Sequence, residues 1–345
     1  MRKVIHLIPY DGIGGVEIAA KSLGSYERDG VCFSLRYIYP SAESGDLRAA
    51  RFNPVYLIKC ARELLKAPPE ILVLSLWRSA IVGLMVKLVR PRVRLVSFIH
   101  NSVDAHWLDF IFTRLAIFCS SEVWADSEAS ITLRFKNKIK KPVKKISFVA
   151  YRIGAISNIL PTPVFAFWGR LAPQKDLFHA LRFFAEIKKR FPAAKFVIIG
   201  PDGGELAGLV AYGKSIGLSG AVSFTGALGI EEIYRIAADA SFYLQTSRYE
   251  GMAMSVVEAM QMGLVPIVTP VGEIATYCRD GENAIVISED HGAVADVLAL
   301  LDDDARYQNM RAQAIATWAD QPLYKDSVLA ACRKVLGVEI SESKA

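Results

Sequence analysis

SFYLQTSRYEGMAMSVVEAMQMGLVPIV, residues 241–268, is the stretch on which the fold turns. It opens on a short apolar run, Ser241–Leu244, and closes on another, Val265–Val268. Between them lie a polar loop and an apolar helical segment that begins near Ser255. Strand, helix and strand in this order make a crossover unit, which calls for parallel strands. Two glutamates, Glu250 and Glu258, stand at the mouth of the helix among four methionines. Ser255 and Glu258 fit the S-x-x-E capping box, in which the glutamate reaches back to the amide at the helix start. That gives Glu258 a local purpose and leaves Glu250 without one.

The same alternation extends outward in both directions. Val4–Ile8, Ile71–Leu76, Arg94–Ile99, Glu122–Ala125, Val164–Trp168, Lys195–Ile199, Ala221–Phe224 and Ala284–Ile287 read as further buried strands. Amphipathic segments separate most of them. In the clearest, Leu177–Phe191, Leu177, Ala180, Leu181, Phe184 and Ile187 fall on one stripe. RIGAISNILPTP, residues 152–163, is rich in small residues and proline, and a fresh strand follows it. The expectation is an α/β chain of two Rossmann-like domains, 1–155 and 164–320, facing each other across a cleft. A C-terminal helix within 321–345 is expected to pack back on the first domain.

At 345 residues the chain is long enough for two domains, and its 52% hydrophobic content supports two cores. No run is long and apolar enough to read as a membrane span. The apolar run at the start reads as a first strand rather than a leader. Cys32, Cys60, Cys119, Cys278 and Cys332 are scattered and odd in number, which argues against a disulfide framework or a zinc site and for a reducing, cytoplasmic setting. Charge is uneven. Residues 1–160 hold 24 Lys and Arg against 13 Asp and Glu, whereas 161–345 hold 17 against 22. The basic half therefore suits an anionic partner. Its densest cluster, RFKNKIKKPVKK at 134–145, reads either as a solvated helix end and loop or as a patch facing phosphate or membrane. With one interleaved aromatic and no recognised motif, it does not read as a nucleic-acid site.

Ligands of open α/β sheets bind beyond the C-terminal ends of strands. After the first strand comes PYDGIGGVE, whose Gly14 and Gly15 open a helix and fit an anion site and a plain turn equally. After Arg94–Ile99 comes His100, placed to face the cleft. After Val164–Trp168 comes GRLAPQKD, whose Arg170 and Lys175 suit a diphosphate, the first as a fork and the second as a point charge. Gly200 in GPDGGE, and Gly226 with Leu228 in TGALG, lie in turns whose backbone suits a flat base. Glu250 lies in the loop after Ser241–Leu244, with Glu258 in the first turn of the helix.

In order and spacing together, these residues resemble the retaining glycosyltransferases of family 4, which have the GT-B fold. The likeness covers most of 164–290: GR-x4-K at 169–175, a glycine turn at 200–204, SFTG at 223–226, and E-x7-E at Glu250 and Glu258 followed by AMQMGLVPIVTPVG. GGVE at 14–17 and His100 carry it more loosely into the first half. The resemblance implies transfer of a sugar from a nucleoside diphosphate sugar to a saccharide or lipid-linked acceptor, with retention, in the making of surface polysaccharide. It implies roles for His100, Arg170, Lys175 and Glu250 at the reacting groups. Gly14, Gly15, Gly200, Gly226, Leu228, Gly251, Met252, Ala253, Met254 and Glu258 would hold the donor, with Glu258 on the ribose. No metal or other cofactor is expected. The protein is expected in the cytoplasm, peripheral on the inner face of the membrane. Rival readings are another GT-B enzyme such as a sugar-nucleotide epimerase, and a basic scaffold or nucleic-acid binder. Asp176, where the family has glycine, and Glu273 and Thr276, where it has GG-x-P-E, depart from the pattern.

Overall fold

A computed structural model describes residues 1–12, 14–28, 30–40, 53–136 and 138–337. The chain forms two compact units, one of Met1–Tyr151 with the segment from Pro322 on, the other of Arg152–Gln321.

The first unit is built on seven strands: β1 Arg2–Ile8, β2 Tyr26–Arg28, β3 Val31–Tyr37, β4 Ile71–Ser75, β5 Arg94–Ile99, β6 Glu122–Ala125 and β7 Val143–Lys145. Their order is β2-β3-β1-β4-β5-β6-β7. All neighbours are parallel except β2 and β3. Helices α1 Gly15–Leu23, α2 Val55–Lys66, α3 Trp77–Val89, α4 Trp107–Cys119 and α5 Glu128–Phe135 connect them. The near-continuous apolar runs of β1, β4 and β5 are what strands covered on both faces require. β7 lies inside the basic cluster that the sequence reads as helix end and loop. Its exposed Val143 and Lys145 mark it as an edge strand, which alternation alone does not single out. The final helix, α13 Tyr324–Leu336, belongs to this unit. Leu323 bridges to Val149, and Tyr324 stacks on Phe98 with centroids 6.3 Å apart.

The second unit holds β8 Val164–Trp168, β9 Lys195–Ile199, β10 Val222–Gly226, β11 Phe242–Gln245, β12 Val265–Val268 and β13 Ile285–Val286. They form one parallel sheet in the order β10-β9-β8-β11-β12-β13. Helices α6 Leu177–Arg190, α7 Leu206–Ser215, α8 Ile230–Asp239, α9 Met254–Met262, α10 Ile274–Tyr277, α11 Asp290–Asp302 and α12 Asp304–Ala319 complete it. The α6 stripe buries Leu177, Ala180, Leu181, Phe184 and Ile187 as its spacing predicts. Phe165 and Phe242, register partners on β8 and β11, stack at 5.0 Å at the centre of the core.

Candidate active site

In the second unit β8 and β11 are neighbours, and the chain winds away from them in opposite directions, through β9 on one side and β12 on the other. Ligands of open parallel sheets sit beyond the carboxyl ends at such a reversal. The loops that leave these two strands carry Arg170, Lys175 and Glu250, and the helix after the second loop carries Glu258.

The β8 loop is stitched to the β11 loop. Gln174 Nε2 donates to Tyr249 O at 2.9 Å, and the Arg248 amide donates to Gln174 O at 2.9 Å. Thr246 Oγ1 donates to Asp176 O at 2.8 Å, and Arg248 Nε meets Asp176 Oδ2 at 2.9 Å. Asp176 adopts φ 45°, ψ 50°, the left-handed region. That is why glycine suits this position, and aspartate is among the few other residues that tolerate it. Here its carboxylate gains the Arg248 pair. The departure at Asp176 thus keeps the backbone and adds a clasp.

Within this frame Lys175 Nζ lies 2.7 Å from Glu250 Oε1. Glu250 is buried, and Gln245 Nε2 donates to the same oxygen at 3.3 Å. Gln245 Oε1 in turn accepts from Ser255 Oγ at 3.0 Å and lies 2.9 Å from the Tyr243 hydroxyl. Close by, Trp168 Nε1 donates to Glu258 Oε2 at 2.8 Å. Protein packs around the Glu258 carboxyl, and this desolvation lifts its pKa from the ordinary 4.5 to about 7 despite the Trp168 hydrogen bond.

The capping box does not form. Helix α9 starts at Met254, so Ser255 lies inside it, and the N-cap is Ala253 at φ 56° with no side-chain cap. Ser255 is drawn to Gln245 and Glu258 to Trp168, so tertiary partners outcompete the local motif. The N-cap is strained and has no side-chain cap; the Val256 amide bonds Ala253 O at 3.0 Å, and the Met254 and Ser255 amides at the very start of α9 are the ones that a helix leaves without an internal acceptor. The carbonyls of Gly251 and Met252 are taken by the Glu273 amide at 3.0 Å and the Tyr277 hydroxyl at 2.9 Å. Gly272 makes this fit possible: at φ 58°, a Cβ there would stand 2.3 Å from Glu250 O.

Other expected donor residues fare differently. Arg170 is exposed and has no ion pair among the described residues. The amide of Gly200 is spent on Gly226 O at 2.8 Å, and a Cβ on Gly200 would lie 1.8 Å from Gly169 O. Gly200 is therefore a packing glycine in this structure, one that lets the β8 and β9 loops touch. At the GPDGGE turn three amides are already engaged. Asp202 Oδ1 accepts the amides of Gly204, Glu205 and Leu206 at 2.7–3.1 Å, and those bonds, led by Leu206, hold its carboxyl below the usual range. Gly226 is exposed and Leu228 half-buried.

Gly14, Gly15 and His100 belong to the first unit. Gly14 is the N-cap of α1, and a Cβ on it would meet Glu17 Oε2 at 2.5 Å. The Glu17 carboxylate thus already lies over the turn. His100, expected to face the cleft, is buried within the first unit, with its ring 4.2 Å from that of Phe98. Its Nε2 is 2.8 Å from Ser75 Oγ, which is itself 2.7 Å from His6 Nε2, and its Nδ1 is 3.6 Å from Asp126 Oδ2. Burial, and His100 after it, lower the His6 pKa to about 3. Ser75, Gln245 and Trp168 escaped the sequence reading, since each lies inside a strand or at its end and looks like core. Among the described residues no three of His, Cys, Asp or Glu gather as metal ligands.

The two doubly wound sheets are those of the GT-B fold. In TM-score the chain is similar, at 0.79 with 16% identity over 98% of this chain and all of the other, to Anabaena Alr3699/HepE, solved with UDP and glucose. It is similar at 0.67 and 15% identity, over 97% of this chain and all of the other, to the lipopolysaccharide outer core galactosyltransferase WaaB. Residues 155–317, nearly the whole of the second unit, match the family model of glycosyl transferases group 1. A D-inositol 3-phosphate glycosyltransferase of Nocardia farcinica (strain IFM 10152) is 30% identical over 162 residues, 45% of this chain and 36% of that protein. The GDP-mannose:cellobiosyl-diphosphopolyprenol alpha-mannosyltransferase of Komagataeibacter xylinus is 24% identical over 182 residues, 51% and 46% of the two. The chain thus spans less than half the length of these curated relatives.

Proposed function

We propose that this protein is a retaining glycosyltransferase that moves a hexosyl group from a nucleoside diphosphate sugar to a saccharide or lipid-linked acceptor in surface polysaccharide synthesis. The observation that carries the reading is the pairing of Glu250 with Lys175 at 2.7 Å beside the uncapped start of α9, with Glu258 four residues into that helix. The relative named for a diphosphopolyprenol acceptor supports a lipid carrier. Retention rests on the resemblance to family 4.

In this reading the bond from the anomeric carbon to the β-phosphate oxygen breaks, and its electron pair goes to the diphosphate. The acceptor hydroxyl oxygen bonds to the anomeric carbon on the same face, and its proton passes to the departing diphosphate. Charge builds on the leaving group, so donors already in place there lower the barrier most. Lys175, the exposed Arg170 and the first-turn amides of α9 supply them. Glu250 orients the sugar and keeps Lys175 in place before the donor arrives. Glu258, when ionised, accepts from the ribose hydroxyls. The cations carry the charge that a divalent metal carries elsewhere, so transfer proceeds in EDTA.

Incubation with UDP-, GDP- and ADP-hexoses, with nucleoside diphosphate release as readout, tests the proposal. One of the three classes is consumed, and Lys175→Ala and Arg170→Ala each slow it by at least tenfold, as charge-assisted contacts of about 1.5–3 kcal/mol require. Equal rates in all three proteins would refute the assignment.

A further inference from the structure

Helix α4, Trp107–Cys119, is apolar on its exposed face as well as on its buried one. Its buried residues are Asp109, Thr113, Ala116 and Ile117. Its exposed residues are Trp107, Phe110, Ile111, Leu115 and Phe118, between 41% and 77% accessible. They recur at helical spacing and form one stripe along its length. A single exposed apolar side chain needs no reason, but a stripe of five large ones marks a surface that meets something.

Asp104 and Asp109, the acids beside and within the helix, are already paired. Asp109 accepts from Thr113 Oγ1 at 2.8 Å and from the Ala105 amide at 2.9 Å, and it pairs with Arg134 Nη2 at 2.7 Å. Asp104 is held between Arg114 at 3.1 Å and Arg134 at 2.7 Å. Both flanks of the stripe are cationic. On one side α3 packs against α4 and ends in exposed Leu88 and Val89, followed by exposed Arg90 and Arg92. On the other, the Arg114 guanidinium lies 5.0 Å from the ring of Phe135, the last residue of α5, and exposed Lys136 and Lys138 follow it.

We infer that this face of the first unit docks on an anionic lipid bilayer. Trp107, Phe110, Ile111 and Phe118 enter the interface, while Arg90, Arg92, Lys136 and Lys138 meet the acidic headgroups. Charge selects this occupant. An apolar stripe between two basic margins matches a surface that is apolar within and negative at its edge. A second copy of the chain would set cations against cations. The 134–145 cluster contributes less than its sequence promises, because Arg134 is spent on Asp104 and Asp109. The inference stands apart from the proposed sugar transfer.

The test is flotation of the full chain with vesicles of phosphatidylcholine, with and without phosphatidylglycerol, alongside quenching of tryptophan fluorescence by brominated lipid. The protein floats with the acidic vesicles and releases with salt. Binding falls at least tenfold in Phe110→Ser/Phe118→Ser and in Arg90→Ser/Arg92→Ser. Brominated lipid quenches the parent protein but not Trp107→Phe, a result that holds even if the serine variants fold poorly. Nucleoside diphosphate release with a water-soluble acceptor is unchanged in Trp107→Phe. No flotation with acidic vesicles at low salt overturns the inference, as does equal quenching in Trp107→Phe. A dimer in sedimentation velocity that the serine variants abolish, with no vesicle binding, assigns the face to self-association and also overturns it.

Discussion

Glu258 couples protonation to stability and, in the proposed function, to nucleotide binding. Its carboxyl titrates near 7 in the fold and near 4.5 when exposed, so the native state prefers it neutral. The stability that goes with the proton is complete below pH 4.5 and is lost as pH rises through 7. A shift of this size corresponds to about 3 kcal/mol at 1.36 kcal/mol per unit. Glu258→Gln, which keeps an acceptor for Trp168 Nε1, should therefore melt higher than the parent at pH 8 and level with it at pH 4. The same variant loses nucleotide affinity by tenfold or more in titration calorimetry, because the amide cannot replace the ionised oxygen. In the parent, affinity for the nucleotide weakens as pH falls below 7. A second residue-scale outcome concerns Lys175 and Glu250. Breaking a buried pair from one side costs about 3–5 kcal/mol, and the 15% exposure of Lys175 sets this pair at the low end. Lys175→Met and Glu250→Gln should each destabilise by more than half of what the double variant does, as chemical denaturation of all four proteins measures.

At the scale of elements, glycines separate packing from propensity. Gly200→Ala drives a Cβ into Gly169 O and should cost more than 3 kcal/mol or prevent folding, since backbone stands on both sides. Gly213→Ala, inside α7 with nothing within 4 Å of the added carbon, should stabilise by about 0.5–1 kcal/mol. Denaturant midpoints of the two variants check both signs. Most elements were legible for a simple reason. Arg94–Ile99, Glu122–Ala125, Val164–Trp168, Lys195–Ile199 and Val265–Val268 are short, largely apolar runs set between helical segments and loops, and the strands have those limits. Strand β10 runs to Gly226 rather than Phe224, because Gly226 O takes the Gly200 amide, a pairing no local pattern encodes. The same limit applies at the site. Arg170, Lys175, Glu250 and Glu258 stand out by chemistry and spacing. The Lys175–Glu250 contact, the Trp168 bond to Glu258 and the inward turn of His100 depend on neighbours 75, 90 and 25 residues away in sequence.

At the scale of the whole molecule, the two units answer pH in opposite directions. His6, in the first unit, titrates near 3 against an ordinary 6.5, so its contribution is full above 6.5 and drains away as pH falls. Glu258, in the second, loses its contribution as pH rises. Calorimetric scans between pH 5 and 8 should resolve two transitions whose separation changes with pH. Tyr324→Ala, which empties a fully buried site against Phe98 and Phe148, lowers one transition by the equivalent of about 3–5 kcal/mol. That transition should be the one that weakens in acid. If Tyr324→Ala shifts the alkali-sensitive transition instead, the assignment of the last helix to the first unit is wrong.

The central claim is that Glu250, Glu258 and Lys175 form the donor site of a sugar-transferring enzyme. Proton NMR of the reaction with UDP-, GDP- and ADP-hexoses and a lipid-linked or saccharide acceptor tests it most directly, by following the anomeric signal from donor to product. The account predicts that one donor is consumed and that the product signal has the donor's anomeric configuration. It predicts further that Glu250→Gln abolishes the product while leaving affinity for the free nucleoside diphosphate within a few-fold. A product of inverted configuration, or undiminished turnover by Glu250→Gln, would contradict it.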